Sequence, residues 1–216
     1  MKYLTVALGK GRLLNEAVKL FEAAGIACPT DKNSRKLIYV NEEYKLKFFL
    51  SKDGDVPTYV EYGAADLGIV GKDTLLEERR GLYELLDLGF GRCAMAAAGF
   101  EDRLSLMQNG NNFRVATKYP AITEYYFHNE RRQSAEIIKL SGSVELAVIS
   151  GLADMIVDLV QTGTTLKENG LVVFSVIADI SARLIANRAS LKMEHERITR
   201  IMAELKRVID NPEVSV

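Results

Sequence analysis

The sequence predicts an α/β fold with largely parallel sheets, arranged as two related lobes. Short apolar runs rich in β-formers alternate with helically spaced apolar residues along the chain. The segment Gly63-Ala-Ala-Asp66-Leu-Gly-Ile-Val70 is echoed by Gly151-Leu-Ala-Asp154-Met-Ile-Val157. Each copy is followed by a glycine and Thr-Leu, in Gly71-Lys-Asp-Thr-Leu75 and Gly163-Thr-Thr-Leu166. A chance match is the other reading of so short a pattern. Two related lobes would put both glycine-containing loops beyond strand carboxyl ends, at one interlobe cleft.

The elements follow in order. Tyr3 to Leu8 reads as a buried strand, and apolar residues at 13, 14, 17, 18, 20, 21 and 24 make a helix that stops at Gly25. Residues 37–40 and 46–50 are β-rich and pair across a short connection. Asp53-Gly-Asp55 is a turn, 56–63 a short helix and 67–70 a buried strand. Further strands are expected at 93–98, 114–117, 136–140, 155–159 and 171–177, and helices at 120–130, 144–152 and 181–209. No low-complexity segment or long linker interrupts them.

Bulk properties narrow the function. The chain has 216 residues, enough for one large domain or two small lobes. It is 48% hydrophobic and 26% charged, with a net charge of −1. That balance gives no overall basic field for nucleic acid. The amino terminus has no long apolar region and no run reaches a membrane-spanning length, so a cytoplasmic protein is expected. Cys28 and Cys93 form no Cys-x-x-Cys and read as reduced thiols. His128 and His195 have no metal-ligand spacing, and no Ser-His-Asp or Cys-His set points to covalent catalysis.

The residues point instead to phosphate. In Asp154-Met-Ile-Val-Asp158-Leu-Val-Gln-Thr162-Gly163-Thr164-Thr165-Leu166, an apolar strand runs into a threonine-rich turn and one helical turn. Backbone N–H groups at a helix start are unpaired within the helix and attract anions. Gly163 permits close approach, and three hydroxyls add hydrogen bonds. A threonine-rich cap without ligand is the plainer reading. Asp154 and Asp158, four apart, fall on one strand face. They would meet sugar hydroxyls or a metal, or Asp154 would simply begin the strand. Lys10-Gly11-Arg12 after Gly9 sets two cations at a strand-to-helix turn. It is neither the dinucleotide fingerprint nor a Walker loop, and a solvated turn is the alternative. Arg35 alone would be an ordinary surface charge.

Taken together, these segments resemble the ATP phosphoribosyltransferase family over almost the whole chain. The resemblance rests on Glu145 through Asp154, Asp158 through Leu166, Asn169-Gly170, Ser181 through Asn187, Lys10 through Leu13, and Asp66 through Gly71. It implies a two-lobed fold like that of type II periplasmic binding proteins. One lobe would span 1–88, completed by a helical segment at 180–216, and the other 89–179. It also implies transfer of a phosphoribosyl group from phosphoribosyl pyrophosphate to ATP, at the start of histidine biosynthesis. Mg²⁺ would be carried with the substrates, and no dedicated protein metal site is expected. The family usually has Pro where Gly9 stands. The chain ends where long forms continue into a regulatory domain, so it is expected to be a short form. Such forms work in a hetero-oligomer with a partner resembling histidyl-tRNA synthetase.

The resemblance also implies roles. Thr162, Gly163, Thr164 and Thr165 would hold the ribose 5′-phosphate, and Asp154 and Asp158 the ribose hydroxyls. Lys10, Gly11 and Arg12 would bind ATP or pyrophosphate phosphates, with Arg12 and Arg35 stabilising charge on the leaving group. Asp73 and Tyr119 are further candidate ATP contacts. A two-lobed solute-binding module without chemistry is the competing class, and a phosphoribosyltransferase for another base is a third reading.

Overall fold

The computed structural model describes residues 2–30, 34–110 and 112–211. The chain forms two compact units. Unit 1 holds residues 1–75, 79–91 and 181–216, and unit 2 holds 76–78 and 92–180.

In unit 1 the sheet order is β2-β3-β1-β4-β11-β5. The strands are β1 Leu4–Gly9, β2 Ile38–Asn41, β3 Leu46–Ser51, β4 Leu67–Gly71, β5 Tyr83–Asp87 and β11 Ala182–Ala186. β3, β1 and β4 are mutually parallel, while β2, β11 and β5 pair antiparallel with their neighbours. In unit 2 the order is β10-β6-β9-β7-β8. Its strands are β6 Cys93–Gly99, β7 Phe113–Thr117, β8 Ala135–Lys139, β9 Met155–Val160 and β10 Val172–Ile180. β8, β7 and β9 are parallel, and β6 and β10 antiparallel. The pattern of three parallel strands followed by two antiparallel ones is thus the same in both units. β11 and β6 hold the same place, each directly after the chain passes from the other unit.

The alternation of side chains along β1 buries both faces of its sheet. Val6 and Leu8 join a cluster with Phe21, Phe48, Ile198 and Leu205, and Ala7 joins Val56, Val60 and Ile185 on the other side. Two helices cover the first face, α1 Leu13–Ala23 and α9 His195–Asp210. The buried residues of α9 are Ile198, Ile201, Leu205 and Val208, a three-four spacing that lays one stripe on the sheet. Phe21 meets Phe48 edge to face at 5.2 Å. Unit 2 repeats the plan. Met155 and Val157 pack with Phe113 and Phe127, and Ile156 packs with Ala116, Val148 and Leu166.

The expected helix over 181–209 is corrected. Ala182-Arg-Leu-Ile-Ala186 is strand β11, and helix resumes as α8 Arg188–Met193 and then α9. A five-residue apolar run has no period that distinguishes strand from helix. The break is fixed by Asn187, whose side chain accepts the N–H groups of Ala189 and Ser190 as an N-cap. The expected 120–130 helix is α5 Pro120–Glu124 continued as a π-helical turn over Tyr125–Glu130. The chain passes between the units at 91/92 and 180/181, with Leu76–Glu78 also belonging to unit 2. Those three residues lie in α3 Lys72–Glu78.

Candidate active site

Most of the candidate residues of each unit lie beyond the carboxyl ends of its parallel strands, where open α/β sheets bind ligands. In unit 1, β1 leads into Lys10-Gly11-Arg12, β3 into Lys52 and Asp53, and β4 into Lys72 and Asp73. In unit 2, β7 leads into Lys118 and Tyr119, and β9 into the threonine turn.

The threonine turn has the geometry its sequence called for. Gly163 sits in the left-handed region at φ 73°, a conformation that costs glycine little. The chain then enters α7 Thr164–Glu168. The Thr162 and Thr164 hydroxyls are 2.9 Å apart, and the Thr164 N–H lies 3.4 Å from Thr162 Oγ1. Leu166 anchors the turn in the core, while Thr162, Thr164 and Thr165 are exposed. The Asn169 side chain donates to the Thr165 carbonyl at 2.8 Å, holding the far end. The result is a loop that presents neutral hydroxyls and helix-start amides.

Asp158 lies on β9 opposite Ala96 of β6, two residues before the end of its strand, and is half-buried. Asp154 shares its face, as the spacing required, but stands at the other end of β9. The strand has six residues, about 20 Å at the usual rise, and the threonine turn begins past its far end. Asp154 accepts the Arg114 N–H at 2.8 Å and faces Arg103 and Arg114 at 3.6 and 3.9 Å. It lines a hollow of about 730 Å³ with Phe100, Arg103 and Gly151, away from the turn. The structure therefore does not bring Asp154 to the threonine turn, and it closes the start of the β7–β9 pairing instead.

In unit 1 the Lys10 N–H is bonded to the Ser51 carbonyl at 2.8 Å, which splices the turn to β3. Lys10 and Gly11 are exposed and border a hollow of about 520 Å³ with Asn15, Lys19, Thr30 and Ser34. Arg12 is exposed at the amino end of α1. Arg35 is also exposed, in the coil before β2. Asp73 lies in the first turn of α3 and folds back over Gly71, where a Cβ would overlap its carboxylate. An acidic side chain there suits the positive end of the helix.

Tyr119, a candidate ATP contact, is buried. The residue is 6% exposed and belongs to the core cluster with Met95, Phe113 and Ile122. Its N–H donates to Thr117 Oγ1 at 2.8 Å, so the residue shapes the start of α5.

Two acidic residues were missed as part of these turns. Asp53 accepts the Gly11 N–H at 3.1 Å, and a Cβ on Gly9 or Gly11 would overlap its carboxylate. This gives Gly9 a physical reason, because any larger residue there meets Asp53. Glu77 accepts the N–H groups of Ala121 and Ile122 at 3.0 and 3.1 Å, at the start of α5. Both partners are more than forty residues away, and no local spacing signals them. Among the described residues no group of three or more His, Cys, Asp or Glu side chains is placed to hold a metal ion.

Comparison with known proteins gives a consistent family. Residues 52–207 match the sequence model of HisG, ATP phosphoribosyltransferase. The chain is 62% identical to an ATP phosphoribosyltransferase of Ruminiclostridium cellulolyticum, over 94% of this chain and 95% of the relative. It is 56% identical to that of Lachnoclostridium phytofermentans, over 97% and 98%. Among solved structures it is similar to a chain of the ATP phosphoribosyl transferase (HisG:HisZ) complex from Thermotoga maritima. That match has a TM-score of 0.82 and 32% identity, and covers 97% of this chain and 98% of the other. The VFT2 domain of Bordetella pertussis BvgS matches at TM-score 0.59 and 14% identity, covering 99% of this chain and 90% of that one. This second likeness bears on the fold alone, and agrees with the expected type II periplasmic-binding-protein-like architecture.

Proposed function

The chain belongs to the ATP phosphoribosyltransferase family, and from that premise we propose how its residues divide the reaction. It transfers the phosphoribosyl group of phosphoribosyl pyrophosphate to ATP, releasing pyrophosphate, in the first step of histidine biosynthesis. Adenine nitrogen 1 is the nucleophile, and the anomeric carbon of the ribose is the centre attacked.

The observation that carries the assignment of roles is the Thr162–Thr165 turn. Its left-handed Gly163, exposed hydroxyls and core-anchored Leu166 suit a phosphate monoester held at a helix start. We assign it the ribose 5′-phosphate. Asp158, on the strand that delivers this turn, is assigned the ribose hydroxyls, which a carboxylate accepts well. Asp154 is assigned a structural role. Lys10, Gly11 and Arg12 are assigned the diphosphate, with Arg12 and Arg35 opposing the charge that grows on the leaving group. Asp73 stays a candidate for ATP through its place after β4.

No nucleophilic side chain is called for. The work is positioning two substrates and stabilising a departing anion, which preorganised cations and amides do well. Mg²⁺ is proposed to arrive with the substrate phosphates and to screen their charge. The Thermotoga maritima relative was solved as a HisG:HisZ complex, and this chain is proposed to act in the same kind of hetero-oligomer. Among the described residues no helix is long and apolar enough to cross a membrane, and a cytoplasmic location is proposed. Incubation with ATP, phosphoribosyl pyrophosphate and Mg²⁺, with and without a HisZ subunit, should yield phosphoribosyl-ATP by mass spectrometry. ATP left unmodified under both conditions would count against the reading.

A further inference from the structure

The turn assigned to substrate diphosphate already holds an anion of the protein's own. The Asp53 carboxylate accepts the Gly11 N–H and occupies the space that side chains at Gly9 and Gly11 would fill. The arrangement recurs in unit 2, where α5 follows β7 as α1 follows β1, and the Glu77 carboxylate takes the first amides of that helix. At the Thr162–Thr165 turn the local acceptor for Thr164 is a neutral hydroxyl. Intrinsic carboxylates thus sit on two of the strand-to-helix turns, while hydroxyls line the one assigned to a phosphate monoester.

A carboxylate oxygen and a phosphate oxygen seek the same backbone N–H from the same side, and like charges cannot share it without cost. Asp53 is exposed and begins a single 3₁₀ turn, Asp53–Asp55, so its side chain can rotate into water without disturbing the core. Gly9 and Gly11 leave the space that the Asp53 carboxylate fills.

We propose that Asp53 is an internal competitor for the diphosphate at the Gly9–Arg12 turn. It holds the turn in shape in the ligand-free protein, yields the Gly11 N–H when the substrate anion arrives, and so weakens affinity for that anion. This rests on the assignment of the turn to diphosphate made above.

The test is equilibrium binding of inorganic pyrophosphate to the full chain without Mg²⁺, comparing wild type, Asp53→Asn and Asp53→Ala. Asparagine keeps an oxygen for Gly11 and removes the charge. Asp53→Asn should bind pyrophosphate about fivefold tighter or more, the scale of one charge removed at short range near water. Asp53→Ala should also bind tighter if it melts like the wild type. A residue that merely braced the turn would give weaker binding in both variants. Unchanged or weaker binding by folded Asp53→Asn, or no binding by either wild type or Asp53→Asn, overturns the proposal. ATP-dependent pyrophosphate release by the wild type reports on the transferase reading separately. Release without an Asp53 effect removes the competitor alone, and tighter binding without release supports the competitor while removing the reaction assigned to it.

Discussion

Asp66 and Asp154 occupy equivalent positions in the two sheets. Asp66 accepts the Thr5 N–H at 2.8 Å and returns its own N–H to the Thr5 carbonyl at 2.9 Å. Asp154 does the same with Arg114, at 2.8 and 2.9 Å. Before each, a glycine at φ 72° or 75° ends a short helix, and an alanine N–H reaches back to that helix. The repeated Gly-x-Ala-Asp is therefore a strand-starting module that joins a helix end to the neighbouring parallel strand. Asp66 also accepts the Ser190 hydroxyl at 2.6 Å, which ties α8 to its sheet.

Replacing either aspartate with alanine should lower stability by about 1–3 kcal/mol, because a part-buried strand N–H loses its partner. Urea unfolding of Asp66→Ala and Asp154→Ala checks this. An Asp154→Ala protein as stable as the wild type would contradict the structural role given to that residue.

Gly163→Ala should act at the ligand turn. A Cβ at φ 73° adds about 1 kcal/mol of backbone strain. Since the strain falls on the loop assigned to the 5′-phosphate, KM for phosphoribosyl pyrophosphate should rise severalfold. Steady-state kinetics at saturating ATP reads it, and an unchanged KM would argue against the assignment.

Arg12→Ala and Arg35→Ala should each lower kcat/KM on the order of 10²–10³, the usual loss of one preorganised donor at developing charge. A variant that keeps full turnover removes that arginine from the reaction.

Cys28 supplies a pH dependence. Burial, with the Glu22 charge second, pushes its thiol from 9.0 up to about 12. The folded state thus holds this proton more tightly than the unfolded chain. Its stabilising contribution is complete well below pH 9 and fades as pH rises from about 9 towards 12, by at most about 1.4 kcal/mol per unit. Denaturant unfolding from pH 7 to 11 should show this loss in the wild type, and a smaller one in Cys28→Ala. Identical slopes would contradict the burial argument.

Much of this was legible in the sequence because it is written locally. The β1 and β9 runs, the α1 spacing and the threonine-rich strand-to-helix turn each depend on residues a few positions apart. The misread parts depend on distant partners. Ala182–Ala186 is a strand because β4 and β5 flank it, and its five residues alone do not say so. Asp154 sits on the expected face, but the alternation that put it there does not tell which strand end meets the ligand. Asp53 and Glu77 become part of their turns only when chain segments more than forty residues apart meet.

The most direct test is pyrophosphate release from phosphoribosyl pyrophosphate with Mg²⁺, with and without ATP, and with and without a HisZ subunit. Release should require ATP, be greatest in the hetero-oligomer, and fall in Arg12→Ala. Folded protein that releases no pyrophosphate in response to ATP under any of these conditions would contradict the transferase reading, and would leave a two-lobed binding protein in its place.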